Sequence, residues 1–370
     1  MKDRNGNKPL TAKLLMAKFR SSRLLIPLAS VLLTFLVLIL VFVLIGRNPF
    51  SAIYSFFQGS GLGLKPSYTK SSNMLTDFLS YLGILSPMLL GALAVVVGLR
   101  GGLFNIGVSG QMLLSGFLAT ILVGYSPLPP ALAIPLVLLI GLFAGALLGS
   151  IIGWLKYRFN VHEVVSSIMF NYIVSFLTGY FIKTKYVDPI IRSSRQVLPN
   201  AKLQIPFQTA GGLKLIVPVG IFIAVAMAFL IRFYLERMTG GFEIRMVGFN
   251  RQGAAYAGLP IQRVMVRTMM ISGALAGLAG VTYYLGYYST IVPKDLPSLG
   301  FDAIAVALLG NLGPVACILS SALITIFQKG AVYMSSSTGV VREIASMVTG
   351  ILLLFSSLGV SMRDRTQHYE

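Results

Sequence analysis

The chain has 370 residues, of which 55% are hydrophobic and only 11% charged, with a formal net charge of +19. A composition this apolar excludes an ordinary soluble domain and leaves room for eight to ten membrane helices of about 20 residues each. The positive charge does not signal nucleic acid, because no soluble module with a basic face and base-reading aromatics is visible.

Residues 1–23 form a basic segment in which Lys2, Arg4, Lys8, Lys13, Lys18, Arg20 and Arg23 stand against the single acid Asp3. That bias holds a terminus in the cytoplasm and favours anionic headgroups. Leu24 to Ile45 is an uncharged apolar run, too long for a signal peptide and without a cleavage pattern, so it is expected to be an uncleaved first helix. The membrane domain is expected over residues 24–360, with a polar, glycine-containing external loop near 46–74. A second helix over Leu75 to Gly98 stops at LRGG, Leu99 to Gly102.

Leu103 to Tyr125 is rich in Gly and Ser, which suits a helix buried among helices or a broken segment lining a cavity. SPLPP, Ser126 to Pro130, is a turn. The helix expected from Ala131 to Leu155 carries Gly141, Ala144, Gly145 and Gly149, a spacing that admits another helix backbone. Val164 to Ile182 crosses again, and residues 184–213 are expected to be the largest external loop. Its Arg192 and Arg195 oppose the charge rule locally, although that rule weighs all loops together.

A helix over Leu215 to Tyr234 then leads into a polar island, residues 235–263, containing TGGFEIRMVGFNRQGAAYAGLP. Met265 to Leu285 follows, with a small-residue face in ISGALAGLAG. Gly300 to Phe327 reads as two apolar pieces broken at GNLGP, and Ile344 to Leu358 as the last helix. Residues 361–370 are a cytoplasmic tail with Arg363 and Arg365. The expected fold is an all-α polytopic membrane protein of about ten transmembrane helices, or eight plus re-entrant segments, with both termini cytoplasmic.

Asp77, Glu163, Asp302, Lys329, Arg342 and Glu343 are all expected near helix ends, within reach of the interface. The apparent lack of ionisable groups at membrane depth disfavours an ion-coupled secondary carrier, which remains the alternative of another class. Enzymatic readings lack a base: His162 and His368 are the only histidines, the single Cys317 cannot form a disulfide within the chain, and no phosphate-binding loop occurs. No metal and no cofactor bound by this chain are expected.

Two uncharged polar clusters remain. GGLFNIGVSGQM supplies Asn105, Ser109 and Gln111, and VHEVVSSIMFNYI supplies Ser166, Ser167, Phe170 and Asn171. Amides, hydroxyls and an aromatic ring suit a pathway for a neutral, hydrogen-bonding solute of sugar or nucleoside type. The same residue types also bond neighbouring helices for roughly 0.6 kcal/mol each. In the island, short amphipathic pieces bounded by glycines suit docking on a soluble partner.

GLFNIGVSGQ, HEVVSSIMFNYI, TGGFEIRMVGFNRQGAAYAGL and GFDAIAVALLGNLGP occur in that order between Leu75 and Leu354. In these motifs the chain resembles permease subunits of bacterial ATP-driven importers of the branched-chain amino acid and simple-sugar type, most closely the nucleoside branch paired with basic-membrane-lipoprotein receptors. The resemblance implies a multi-pass protein of the bacterial cell membrane. Its implied partners are a second permease, in a heterodimer, two cytoplasmic ATPase subunits that use ATP and Mg, and an external substrate-binding lipoprotein. It places Glu243, Arg245, Gly248, Asn250 and Gly258 at the ATPase contact. Nucleosides are the implied solutes, ahead of simple sugars and branched-chain amino acids. Where relatives often carry Glu, in a GVEGQ pattern, this chain has Ser109, a departure that bears on ligand contacts or on permease pairing.

Overall fold

A computed structural model describes residues 25–355, apart from 67, 69–71, 209–213, 342 and 345. The basic segment 1–23 and the tail 361–370 lie outside the described residues. The first helix, α1 (Leu25–Leu44), matches the uncharged run and meets α2 (Pro49–Gly59) at 117°. All of α2 falls in the segment expected to be loop. Its glycines and lysines suggested a loop, yet Asn48 caps PFSAIYSFFQG and a Pro opens it, while Ala52 and Phe56 are buried. Gly59 lies against Gly330, where an added β-carbon would come within 2.7 Å of the Gly330 Cα.

The central helix α3 (Met74–Arg100) begins in a reciprocal capping box between Asn73 and Thr76 and is buried almost continuously from Leu85 to Gly98. The chain then folds back into the protein over residues 101–107. From there rises α4 (Val108–Gly124), a short apolar helix that widens into π-helical turns over its last five residues. Of the two forms expected for Leu103 to Tyr125, the chain takes the broken segment: an extended entry followed by a half-length helix.

α5 (Pro130–Phe159) and α10 (Ile261–Tyr288) pack antiparallel along their glycines. An added β-carbon on Gly145 would strike the Gly273 carbonyl oxygen, and one on Gly149 would strike that of Met269. This is the close backbone approach that the small-residue spacing predicted. Between them in sequence come α6 (Glu163–Tyr186), the antiparallel hairpin β1 (Gln204–Gln208) and β2 (Lys214–Pro218), α7 (Gly220–Arg237), α8 (Thr239–Phe249) and α9 (Arg251–Tyr256). The hairpin displaces the start of the helix expected from Leu215: KLIVP holds the β-branched pair Ile216 and Val217 and is closed by Pro218, and the helix starts only at Gly220.

The described residues between Val187 and Pro218 cap one end of the bundle. Their backbone bonds Gly124 at the end of α4 and Leu285, Ser289 and Ile291 at and beyond the end of α10. Gly153 of α5 faces Val266 of α10, so the C-terminal end of α5 and the N-terminal end of α10 lie together at the opposite end, beside α8.

α11 (Leu299–Leu309), α12 (Ala316–Thr338) and α13 (Ser346–Phe355) complete the described chain. The break at GNLGP is real, with left-handed Asn311 and Leu312. Beyond it, α12 does not stop at Phe327 but continues for eleven more residues, because the serine-rich AVYMSSST remains helical with Ala331 and Met334 buried. Lys329, expected at a helix end, therefore sits near the middle of a span.

Among the described residues, five helices are long and apolar enough to cross a membrane, or six if the bent α1–α2 pair is one span. α4, α11 and α13 are shorter apolar helices, so several of the ten expected spans are half-length pieces. The protein is a mostly helical, polytopic membrane protein.

Candidate functional site

Glycine decides the path of residues 101–107. Gly102 adopts a left-handed φ of +68°, and Leu103 N–H returns to the Gly98 carbonyl at 3.0 Å, which turns the chain back inward. Asn105 then becomes the centre of a fully buried knot. Its Nδ2 donates to Gln111 Oε1 at 3.0 Å and to Ser272 Oγ at 2.8 Å, while its Oδ1 accepts from Gly107 N at 2.9 Å. Ser272 Oγ in turn donates to the Ala94 carbonyl at 2.6 Å. One amide thus ties the re-entrant segment to α3, α4 and α10. Ser272, hidden among ISGALAGLAG, was missed from sequence because it reads there as one more small residue.

Asn171 makes a second tie. Its Oδ1 accepts from Gly110 N at 2.9 Å and its Nδ2 donates to the Ile106 carbonyl at 3.1 Å, binding α6 to the first turn of α4. Ser109 Oγ donates to the Pro297 carbonyl at 2.9 Å. An added β-carbon on Gly300 would come within 2.7 Å of Ser109 N, so the first turns of α4 and α11 meet inside the bundle. Ser166 bonds its own helix through the His162 and Glu163 carbonyls, Ser167 is buried with no partner among the described residues, and Phe170 packs against both apolar clusters. The two sequence clusters therefore do converge, around the start of α4, with Asn105, Gln111 and Asn171 holding protein groups.

The polar island folds as α8 and α9. Glu243 pairs with Arg267 of α10, whose guanidinium also donates to the Gly240 carbonyl at 3.4 Å. Arg245 is partly buried, and its Nε has no hydrogen-bond partner among the described residues. An added β-carbon on Gly248 would strike the Arg100 carbonyl oxygen, so the end of α8 rests directly on residues 100–102. Arg100 reaches from there to the Leu312 carbonyl, at 3.1 Å from Nε and 3.0 Å from Nη2.

Asn250 caps α9 by accepting from Gly253 N at 2.9 Å. The helix closes in a Schellman motif: Gly258, with φ of +79°, bonds Ala255 and Leu259 bonds Ala254. This turn leaves two aromatics standing free, Phe249 at 88% and Tyr256 at 95% exposure. Sequence reasoning missed both. Their signal was position, one residue before the cap of α9 and two before its terminal glycine, off the stripe of buried Ile244 and Val247.

The sequence pattern of the family described as branched-chain amino acid transport system / permease component matches residues 77–357. The chain belongs to this permease family. It is 36% identical over 312 residues to the guanosine ABC transporter permease protein NupP of Bacillus subtilis, covering 82% of this chain and 88% of that protein. To the nucleoside ABC transporter permease protein NupB of Lactococcus lactis it is 30% identical over 344 residues, 91% of each. The glucose ABC transporter permease protein TsgB13 of Haloferax volcanii is 27% identical over 276 residues, 73% of each. No solved structure matches the chain. Family and apolar helices together make it a multi-pass transport component of the cell membrane.

Proposed function

We propose that the chain is the transmembrane subunit of an ATP-driven nucleoside importer and that α8 and α9 are its contact with a separate ATPase. The observation that carries the nucleoside reading is similarity over nearly the whole length to two permeases named for guanosine and nucleosides. Residues 24–360 form the permease domain, with the loop 184–213 outside and segment 235–263 inside. A second permease, two ATPase subunits and an external receptor complete the assembly.

The coupling residues divide by role. Glu243, Asn250 and Gly258 hold the shape of the segment, the partly exposed Arg245 presents a positive charge, and Gly248 transmits displacement to residues 100–102. From there the Asn105 knot leads to the start of α4. Asn105, Ser109, Gln111, Ser166, Ser167, Phe170 and Asn171 frame the solute path, and a shift of α8 reaches them through packed backbone.

The test is uptake of radiolabelled guanosine by proteoliposomes holding the chain with its second permease, ATPase and loaded receptor. ATP-dependent uptake is expected, and Arg245→Glu should remove ATPase co-purification. Uptake of glucose or branched-chain amino acids but not nucleosides would overturn the solute; an unaltered complex in Arg245→Glu would overturn the coupling assignment.

A further inference from the structure

Two ionisable side chains sit inside the bundle without an ion-pair partner among the described residues. Lys329 lies 13 residues beyond the start of α12, about 20 Å along it at 1.5 Å per residue. Among the described residues its Nζ meets only the Tyr287 hydroxyl, at 3.3 Å, and that ring, at 5.7 Å from its centroid. Asp302 is in the first turn of α11, whose N-terminus meets Ser109 inside the bundle. Its carboxylate accepts from Gln328 Nε2 at 2.5 Å. Among the described residues neither joins an ion pair.

All four side chains are only partly buried, and Gln328 and Lys329 are neighbours on one helix. Charged groups in this position are too costly to face lipid, so they face an aqueous path or a polar occupant. The same helix carries the series outward. Tyr333, one turn beyond Lys329, has Lys65 Nζ 4.8 Å from its ring centroid, and Lys65 pairs with Asp77 at 2.5 Å. Polar and aromatic groups thus run from the middle of the span to the capped end.

We infer that Asp302, Gln328, Lys329 and Tyr287 form a solute-binding station within the path, built for a neutral, hydroxyl-rich molecule with an aromatic ring. The carboxylate takes hydroxyl donors such as a ribose diol. Gln328 and Lys329 supply donors to carbonyl or ring-nitrogen acceptors, and the tyrosines offer ring faces. One acid and one base, each resting on a neutral partner, hold no net charge to trap an ion. Both can turn to a solute without breaking an ion pair. This inference rests on the nucleoside reading above.

The experiment measures guanosine uptake and receptor-stimulated ATP hydrolysis in the reconstituted complex at saturating loaded receptor, for Asp302→Asn, Gln328→Leu and Lys329→Met. Uptake is expected to fall about tenfold in each, in line with the loss of one charge-assisted or amide hydrogen bond, while assembly and ATP hydrolysis stay within twofold of the parent. As a second readout, Phe301→Cys in a Cys317→Ser background should be alkylated more slowly when guanosine is present. Parent-like uptake in all three variants, with no protection at position 301, overturns the station alone. Parallel loss of assembly or hydrolysis overturns it in favour of a bracing role. Absence of any nucleoside uptake by the parent complex overturns the nucleoside reading itself.

Discussion

At the scale of single residues, the interior is organised by a few side chains that each satisfy several backbone and side-chain groups at once. Asn105 is the clearest case, with four hydrogen bonds in a fully buried site. Asn105→Ala strands the Gly107 amide and removes a partner from Gln111 and Ser272, so it should cost about 1–3 kcal/mol. Thermal unfolding in detergent, followed by the loss of monodisperse protein, checks this; an unchanged midpoint would dispose of the knot. Gly258 illustrates the opposite limit. Nothing lies within 4 Å of an added β-carbon, so Gly258→Ala meets no clash and pays only for its left-handed backbone, about 1–2 kcal/mol. That cost falls on the shape of α9, and the expected outcome is weakened ATPase binding with a small drop in the unfolding midpoint.

At the scale of elements, the legible parts were those in which one local signal had one structural meaning. The small residues of α5 and of ISGALAGLAG announced a close helix pair because only backbone fits against backbone there. Gly145→Leu should therefore abolish folded protein, since its side chain has no room beside the Gly273 carbonyl, a loss of more than about 4 kcal/mol. Recovery of monodisperse protein would contradict the packing. The extent of α12 was not legible, because AVYMSSST is too polar to read as a span and owes its helicity to packing on α2 through Gly330. For the same reason Lys329 was taken for an interfacial residue. That the two polar clusters place hydrogen-bonding groups inside the bundle was legible, but their ties to Ser272 and Gly300 depend on chain folding that no local pattern encodes. α8 carries the corresponding prediction for coupling: Gly248→Ala, at the end of that short helix, should separate ATP hydrolysis from uptake, because the single added methyl pushes on residues 100–102 while Phe249 and Tyr256 remain free to dock. Equal loss of both activities would refute transmission through that contact.

At the scale of the whole molecule, charge alone does not orient the protein. Lys156, Arg158, Arg251 and Arg263 lie toward the end that carries α8 and α9, while Lys183, Lys185, Arg192 and Arg195 lie toward the capped end. With both ends basic, the positive-inside rule has little leverage among these loops, and orientation rests on what each end is built to do. One end is a stitched cap of hairpin and extended chain, a fixed surface suited to a receptor; the other presents two unpartnered aromatics on a short helix, suited to a groove in a soluble subunit. Since Cys317 is the only cysteine and is buried, single-cysteine labelling can decide the matter in a Cys317→Ser background. Tyr256→Cys should react with a membrane-impermeant maleimide only in inside-out vesicles, and Arg195→Cys only in right-side-out vesicles or intact cells. The reverse pattern would put the aromatics outside, where no ATP is available, and would remove the energetic basis of the importer reading together with its topology.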